Sequence, residues 1–236
     1  MSGQFVTERL AEALVRANTQ ESVRPKAERG TTIAISREVG ARGSSVAREV
    51  GRRLGWPVYD HELLEQVARE LNVNTSLLDS VDEKQKSWLL EQFETFSAVP
   101  HVSKNAFVMK VVETVLLLGV RGECVIVGRG AAHILPAATT LRVRLIAHLE
   151  DRVDFVSREW NLPRNEAARR VENEDRERNR FIKDHFHKDP ASAANYDLVI
   201  STSRFSVPQT AELVIEGLKQ FPKPVAEQLP AASAVV

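Results

Sequence analysis

Short apolar runs alternate with helical patterns along most of this 236-residue chain, and the alternation limits the fold more than any other feature. Five runs have the length and composition of buried strands: TTIAIS (31–36), WPVYD (56–60), ECVIVGRG (123–130), LRVRLIAHL (141–149) and YDLVIS (196–201). Helical patterns separate them; Val46, Val50 and Leu54, for example, share one face before Gly55 ends that helix. Because strands separated by helices pair in parallel and need cover on both sides, we predict an α/β fold with a five-stranded parallel sheet and helices on both faces.

The two ends of the chain differ in pattern from the region between them. Residues 5–17 carry apolar residues at helical spacing, and the polar stretch that follows ends at Gly30. Residues 222–236 are rich in proline and alanine and have no periodicity, which predicts a loosely ordered tail. We therefore predict an N-terminal helix and linker over 1–30, one domain over 31–221 and a tail over 222–236.

Charge balance and cysteine content restrict the partners and the compartment. The 32 Lys and Arg residues equal the 32 Asp and Glu residues, so the overall charge gives no reason to expect nucleic acid or an anionic membrane as a partner. The single cysteine, Cys124, excludes a disulfide scaffold and a cysteine-based zinc site. No apolar run approaches the roughly 18 residues of a membrane span, and Glu8 and Glu12 are unlike the start of a signal peptide. We expect a soluble, cytoplasmic protein.

The stretch ISREVGARGSS (35–45) lies at the carboxyl end of the first strand, where parallel sheets bind ligands. Gly40 and Gly43 let the backbone approach an anion closely. Ser44 and Ser45 stand where the next helix begins, and the free N–H groups and dipole of a helix N-terminus favour phosphate. A strand–turn–helix with two glycines also occurs where no phosphate binds, so the loop alone leaves a phosphate site and a simple glycine turn open.

Two further strand ends carry candidate site residues. Arg129 lies between two glycines after an apolar strand, where its guanidinium could fork around a carboxylate or phosphate. The alternative is an arginine that caps the following helix. Asp60, after Tyr59, could accept a hydrogen bond from a ligand hydroxyl, or it could cap the helix that begins near His61.

A charged helical segment, NEDRERNRFIK (173–183), offers a third group of arginines. Arg176 and Arg180 are four residues apart and share a helix face, whereas Arg178 is expected to point elsewhere. Glu174 and Glu177 could pair with them. The segment is either an ordinary salt-bridged surface helix or an arginine lid that neutralises the charge of phosphoryl oxygens during transfer.

Four stretches, in this order, resemble the motifs of the cytidylate kinase-like branch of the P-loop nucleoside monophosphate kinases: TIAISREVGARGSSVAREVGRRLGWPVYD, VIVGRGA, EDRERNR and NYDLVISTS. The resemblance runs from about Thr31 to about Phe221. It implies a phosphate loop after the first strand, a mobile monophosphate-binding helical region and an arginine-bearing lid, here at about 160–190. It also implies transfer of the ATP γ-phosphoryl group to a nucleoside monophosphate with Mg²⁺.

The resemblance assigns a role to each matching position. It implies that the ATP phosphates are held by Gly40, Ala41, Gly43, Ser44 and Ser45, with the Ser45 hydroxyl on the Mg²⁺ side. It implies that Asp60 and Arg129 bind the monophosphate substrate. Arg176 and Arg180 match the catalytic arginines of the family's lid.

The loop departs from the P-loop pattern G-x-x-x-x-G-K-[ST] at its charged position. Gly43 stands where the lysine is expected, Arg42 stands where the preceding glycine is expected, and the first glycine falls near Arg37. The positive charge that follows the β- and γ-phosphates is therefore absent from its usual place, and Arg42 or Arg37 could supply it, Arg42 as a catalytic residue and Arg37 toward the substrate. Arg42 also costs free energy if its position requires a positive φ.

The substrate-reading positions depart as well. Gly130 stands where the family's aspartate would read the cytosine amino group, Asn173 replaces the first lid arginine, and Glu177 replaces the lid aspartate. Two functions stay open. One is a cytidylate kinase-like nucleotide kinase that uses ATP and Mg²⁺ on a (deoxy)nucleoside monophosphate; the other is a non-catalytic nucleotide- or anion-binding regulatory protein on the same fold. The sequence leaves the oligomeric state open.

Overall fold

The computed structural model describes residues 30–60, 62, 64, 83–98 and 105–222, and these contain one five-stranded sheet. All strand pairs are parallel and the order is β2-β3-β1-β4-β5. The strands are β1 (Thr32–Arg37), β2 (Val58–Tyr59), β3 (Val125–Val127), β4 (Thr140–Ile146) and β5 (Leu198–Ser201). The predicted five-stranded parallel sheet is confirmed, with β1 at its centre.

Helices connect the strands, as the sequence pattern predicts. In the described residues they are α1 (Gly43–Leu54), α2 (Glu83–Ser97), α3 (Ala106–Arg121), α4 (Ala131–Ile134), α5 (Leu149–Glu159), α6 (Arg164–Phe186) and α7 (Val207–Gln220). Local chemistry sets several ends: Gly55 ends α1 at a φ of 71°, and the Asn105 side chain accepts hydrogen bonds from the first N–H groups of α3. A capping box of Ser206 and Gln209 begins α7, with Pro208 in its first turn.

Side chains on the two faces of the sheet form two separate cores. Ile33 and Ile35 of β1 are buried with residues of α1 and α7. Ala34 points the other way and is buried with residues of α2, α3 and α4. The predicted helices on both faces are therefore confirmed, and both faces of β1 are closed to water, as its continuous apolar run requires.

A third, smaller core lies beyond the carboxyl edge of the sheet and fixes the loop that follows β1. Val39 of that loop is buried with Val153 and Val156 of α5 and with Ala167 and Val171 of α6. This packing joins the start of α6 to the loop, so the two elements occupy fixed positions relative to each other.

Several predicted elements lie wholly or largely outside the described residues. These are the N-terminal helix and linker over 1–30, the helical monophosphate-binding region after Asp60, and the tail over 222–236. No helix in the described part of the chain combines the length and apolar character that crossing a bilayer requires.

Candidate functional site

A cleft of about 740 Å³ lies at the carboxyl ends of β1 and β3, between α4 and α6. Among the described residues, five arginines line it: Arg37, Arg129, Arg144, Arg170 and Arg178. Three carboxylates line it as well: Glu174, Asp175 and Glu177. The excess of cationic groups suits an anionic ligand.

The loop between β1 and α1 turns through two residues with positive φ. Gly40 has φ 81°, and a Cβ there would lie 2.6 Å from the carbonyl oxygen of Arg152 in α5. Arg42 has φ 56° and precedes α1 without giving it a side-chain cap. The expected cost of a non-glycine residue at Arg42 therefore applies, at about 1–2 kcal/mol. The Arg42 guanidinium lies over the ring of Phe155, 5.5 Å from its centroid, and does not line the cleft.

Contacts from the sheet and from α6 hold the first half of this loop. The Val39 N–H donates to Asp175 Oδ1 at 2.8 Å, and Asp175 forms an ion pair with Arg152. The Ala41 N–H donates to the Glu38 carbonyl at 3.2 Å, and the Thr202 hydroxyl after β5 donates to the Ala41 carbonyl at 3.2 Å. Because Val39 and Ala41 already use their N–H groups, an anion at the loop must be bound mainly at the start of α1, where helix N–H groups lack helical partners.

Arg37 runs along a slot that two glycines leave open. A Cβ on Gly43 would lie 2.6 Å from Arg37 Cγ and 2.9 Å from its Cβ, and a Cβ on Gly128 would collide with Arg37 Nη1. The stem of Arg37 thus passes over Gly43, which the sequence pattern predicts as the lysine position, and its guanidinium reaches the end of β3. A side chain at position 43 and the observed path of Arg37 exclude each other.

The Arg37 guanidinium lies among charges from α6 and from the ends of two other strands, β2 and β3. Burial lowers the pKa of Arg37 to about 9, and Arg178 and Arg129 act in the same direction, while Asp60 and Glu174 act in the opposite one. Burial also lowers the pKa of Arg129 and of Arg178. We call Arg37, Arg129 and Arg178 the arginine cluster. The structure thus brings the predicted residues Arg37, Asp60 and Arg129 together.

Three consecutive residues in the left-handed region form the turn after β3. Gly128, Arg129 and Gly130 have φ values of 81°, 50° and 78°, and the Gly128 N–H donates to the Ile35 carbonyl at 2.9 Å. The turn aims the Arg129 side chain into the cleft, with its guanidinium 6.0 Å from the centroid of the Phe181 ring. Helix α4 has no side-chain cap, so the cleft-facing alternative for Arg129 agrees better with the geometry than a capping arginine does.

Gly130 leaves room for an aromatic ring from the end of α6. A Cβ at this position would lie 2.8 Å from Phe186 Cζ and closer still to Phe186 Cε2. The aspartate that the family resemblance implies at this position therefore does not fit against Phe186 as it lies here. The positive φ of Gly130 opposes a side chain as well.

The arginines of α6 divide between its two faces, and the cleft receives Arg170 and Arg178 rather than the predicted Arg176 and Arg180. Arg178, with Glu174 and Phe181, lines the cleft, and Arg178 pairs with Glu174 at 3.4 Å. Arg178 points away from the face of Arg176 and Arg180, as predicted, but the face that it occupies is the one that lines the cleft. The apolar pair Phe181–Ile182 marks the inner face of the helix, and the spacing from 174 through 178 to 181 and 182 could have identified Arg178.

Arg176 and Arg180 share a face, as predicted, but that face lines a second cleft of about 760 Å³ between α5 and α6. Arg176 pairs with Glu172 at 2.7 Å rather than with Glu174 or Glu177, and its side chain is 60% exposed. This part of α6 agrees with the surface-helix alternative. Glu177 lines the first cleft, on the same face as Arg178.

Ser44 and Ser45 occupy the first turn of α1, where both are half-buried. A serine hydroxyl at this position suits Mg²⁺, which takes few protein ligands and relies on phosphate oxygens and water for the rest. Within the described residues, no group of three or more His, Cys, Asp and Glu side chains is placed to hold a metal ion. The donor set therefore fits a metal bound together with a nucleotide.

Comparison with known proteins places the chain in a family. The model of the cytidylate kinase-like family matches residues 32–204. A cytidylate kinase of Methanopyrus kandleri is 29% identical over 102 residues, which cover 39% of this chain and 53% of that protein. A uronate isomerase of Corynebacterium glutamicum is 36% identical over 93 residues, which cover 39% of this chain and 18% of that protein. The chain thus spans only part of the length of these curated relatives.

A solved structure shares the fold over most of its length. The crystal structure of an uncharacterized protein from Eubacterium ventriosum aligns with a TM-score of 0.65 at 20% identity, covering 80% of this chain and 98% of that one. At this identity the match supports the fold alone. The family match spans β1 to the end of β5 and includes the loop, the turn after β3 and α6. By its sequence and its fold, the chain belongs to the cytidylate kinase-like family.

Proposed function

We propose that this protein is a kinase that transfers the γ-phosphoryl group of ATP to a (deoxy)nucleoside monophosphate. The observation that carries the proposal is the meeting of the arginine cluster with Asp60 beside the N-terminus of α1. Phosphoryl transfer needs positioning and charge neutralisation more than it needs a nucleophilic side chain, and clustered guanidinium groups supply both. We place the reaction in the cytoplasm, because the single cysteine fits a reducing compartment.

The donor and the acceptor would bind on opposite sides of Arg37. The N–H groups of Gly43, Ser44 and Ser45 at the start of α1 would bind the ATP phosphates, with Gly40 and Ala41 shaping the loop. The Ser45 hydroxyl would hold Mg²⁺, which neutralises charge on the phosphate oxygens when bound. Arg37 would lie between the two phosphates and do the work of the absent P-loop lysine.

Arg129 and Arg178 would bind the phosphate of the acceptor, since a guanidinium can donate two parallel hydrogen bonds to one oxyanion. Asp60 and Glu177 would accept hydrogen bonds from its hydroxyl or amino groups. An oxygen of the acceptor phosphate attacks the γ-phosphorus, the bond from that phosphorus to the β–γ bridging oxygen breaks, and ADP leaves with the electron pair. In this arrangement Arg37 and Arg178 take the roles that the sequence assigned to Arg42 and to Arg176 and Arg180.

A coupled assay that follows ADP formation tests the proposal with CMP, dCMP and the other monophosphates in turn. Arg129→Gln should lower kcat/KM for the active acceptor by about 100-fold or more, because it removes a bidentate phosphate contact. Arg158→Gln, which changes an exposed arginine of α5, is the matched control.

Turnover with none of the monophosphates, from folded protein, would reject the kinase. Calorimetry then separates the alternatives. Binding of ATP or a monophosphate without turnover would support the non-catalytic regulatory protein, for which the use of the Val39 N–H by Asp175 is the favouring observation.

A further inference from the structure

Arg144 is a buried cation of β4 that lines the cleft and pairs in register with Ser36 of β1. It is 8% exposed, and its Nη1 donates to Ser36 Oγ at 2.9 Å. Its guanidinium also lies 5.7 Å from the centroid of the Tyr196 ring. Among the residues that the structure describes, no carboxylate forms an ion pair with Arg144.

A buried guanidinium without a carboxylate is costly, because the protein interior replaces only part of the hydration that it loses. The neighbouring Arg142 shows the usual solution, since its Nη2 pairs with Asp197 Oδ1 at 2.8 Å. Arg144 lines the cleft instead, and a ligand that enters the cleft can reach its guanidinium. The missing negative charge is therefore one that a ligand can bring.

The surroundings of Arg144 add further donors. Ser36 Oγ accepts from Arg144 and keeps its own proton to donate. The Tyr196 hydroxyl donates to the Pro190 carbonyl at 3.0 Å and shares the same proton with Ser36 Oγ at 3.3 Å, and these contacts fix Ser36 in place. His133 lines the same part of the cleft, 6.0 Å from Tyr196 between ring centroids. Burial and, after it, the positive charges of Lys188, Arg142 and Arg144 together lower the pKa of His133 to about 4, so this part of the cleft favours an anion.

We propose that Arg144, Ser36 and His133 form a second oxyanion subsite in the cleft, which binds a phosphate or carboxylate group. The subsite is distinct from the arginine cluster, because Ser36 and Arg144 point to the face of the sheet that carries α4, whereas Arg37 crosses the carboxyl edge from the face that carries α1. It goes beyond the proposed kinase reaction, since a nucleoside monophosphate has one phosphate and needs one cluster. Binding at the subsite does not depend on turnover.

Titration calorimetry of the full chain with inorganic phosphate tests the subsite. We expect Arg144→Gln to bind one phosphate fewer than the wild type, or to bind that phosphate at least about tenfold more weakly, because the variant loses a charged hydrogen-bond donor to the anion. Arg129→Gln should lose a different phosphate, at the arginine cluster. Arg142→Gln, on the same face of β4, is the matched control and should keep every phosphate that the wild type binds. Equal stoichiometry and affinity in the wild type and Arg144→Gln would overturn the proposal.

Ser36→Ala provides a second test of the subsite if Arg144→Gln does not fold. It removes the hydroxyl that receives Arg144 without removing the cation, and we expect about threefold to tenfold weaker binding of the second phosphate. Unchanged binding in this folded variant would count against the subsite. The histidine signals provide a separate readout, because a bound dianion should raise the pKa of His133 in the wild type but not in Arg144→Gln.

The same oxyanion could belong to the acceptor or be free in solution, and kinetics separate the two sources. If it belongs to the acceptor, Arg144→Gln should raise KM for a nucleoside 3′,5′-bisphosphate about tenfold and leave KM for the 5′-monophosphate unchanged. If it is a free anion, added phosphate should change kcat or KM of the wild type and have no such effect on Arg144→Gln. Loss of the second phosphate without any kinase activity would reject the proposed reaction while keeping the subsite.

Discussion

Replacement of Arg37 by methionine should lower activity and raise stability at the same time. Methionine keeps the length of the stem in the slot over Gly43 and removes the charge that the guanidinium brings to the arginine cluster. Loss of a cation aimed at the transferred group costs about 10²–10³ in kcat, or roughly 2.7–4 kcal/mol of transition-state stabilisation. KM for the acceptor should change less, because Arg129 and Arg178 still bind its phosphate.

The pKa of Arg37 explains why Arg37→Met should raise stability although it lowers activity. Arg37 is a base whose pKa in the folded protein, about 9, lies below its ordinary value of 12.5, so folding disfavours the charged form. At pH 7 the group is charged in both states, and the full penalty applies. Relaxation of the protein and access of solvent reduce this penalty, so removal of the charge should raise the free energy of unfolding by about 1–3 kcal/mol.

Urea unfolding and steady-state kinetics on one preparation measure both effects. Arg48→Met, on the exposed face of α1, is the matched control and should change neither. A fall in kcat that accompanies a fall in stability would mean that Arg37 is a structural residue, and an unchanged kcat would refute its role altogether.

Moving the positive charge from position 37 to position 43 gives a stricter test of the role of Arg37. Gly43 is not among the residues with positive φ, so its backbone tolerates a side chain, and only the stem of Arg37 occupies the space. In Arg37→Ala the slot is empty, and adding Gly43→Lys should restore kcat at least about tenfold over Arg37→Ala alone. Gly43→Lys in the wild type should instead destabilise the fold by about 1–3 kcal/mol, because the two side chains collide.

Three further measurements test other parts of the structure. Asp175→Asn removes a partly buried charge partner of Arg152 and should lower the free energy of unfolding in urea by about 1–3 kcal/mol. The matched control Glu172→Gln, in an exposed pair on the same helix, should lower it by less than about 0.5 kcal/mol. Equal losses in the two variants would mean that the loop does not depend on Asp175. Because the pKa of His133 is lowered from 6.5 to about 4, the folded protein binds fewer protons than the unfolded chain in this range. Stability should therefore fall as pH falls from 6.5 toward 4, by about 2 kcal/mol at pH 5, and His133→Asn should lose less over the same interval. Burial raises the pKa of the Cys124 thiol to about 12, so alkylation at pH 8 should proceed only at the rate of opening and should accelerate in urea; fast labelling of native protein would contradict its burial.

The sequence predicts the strands, the helices and the turns at the strand ends, because these depend on local patterns. Runs of β-branched residues such as Ile33 and Ile35 specify buried strands, and the glycine pattern around Arg129 specifies a turn at the end of one of them. Parallel pairing then brings the strand ends together, so Arg37, Asp60 and Arg129 could be grouped before the fold was known.

The faces of α6 and the path of Arg37 could not be obtained in this way. The helix carries charges on every side, so the spacing of Arg176 and Arg180 shows that they share a face but not which element that face meets. The direction is set by Val171 and Ala167, which are buried against Val39 of the loop. The burial of Arg144 could not be predicted for a related reason. A strand with alternating arginines is typical of a solvated face, and only the tertiary structure shows that one of them is buried.

Two of the departures from the family pattern, Gly43 and Gly130, have one physical explanation, which bears on whether the site has lost its function. When a side chain is lost without compensation, the space that it leaves becomes a cavity, and the lost contacts destabilise the fold. Gly43 and Gly130 leave no such space, because the stem of Arg37 fills the first position and the ring of Phe186 fills the second. A positive charge still reaches the end of β3, although it comes from β1 rather than from the loop. Under the proposed function, Arg37 supplies the cation that the missing lysine would bring, so the kinetics of Arg37 variants, rather than the motif, decide whether the site transfers phosphate.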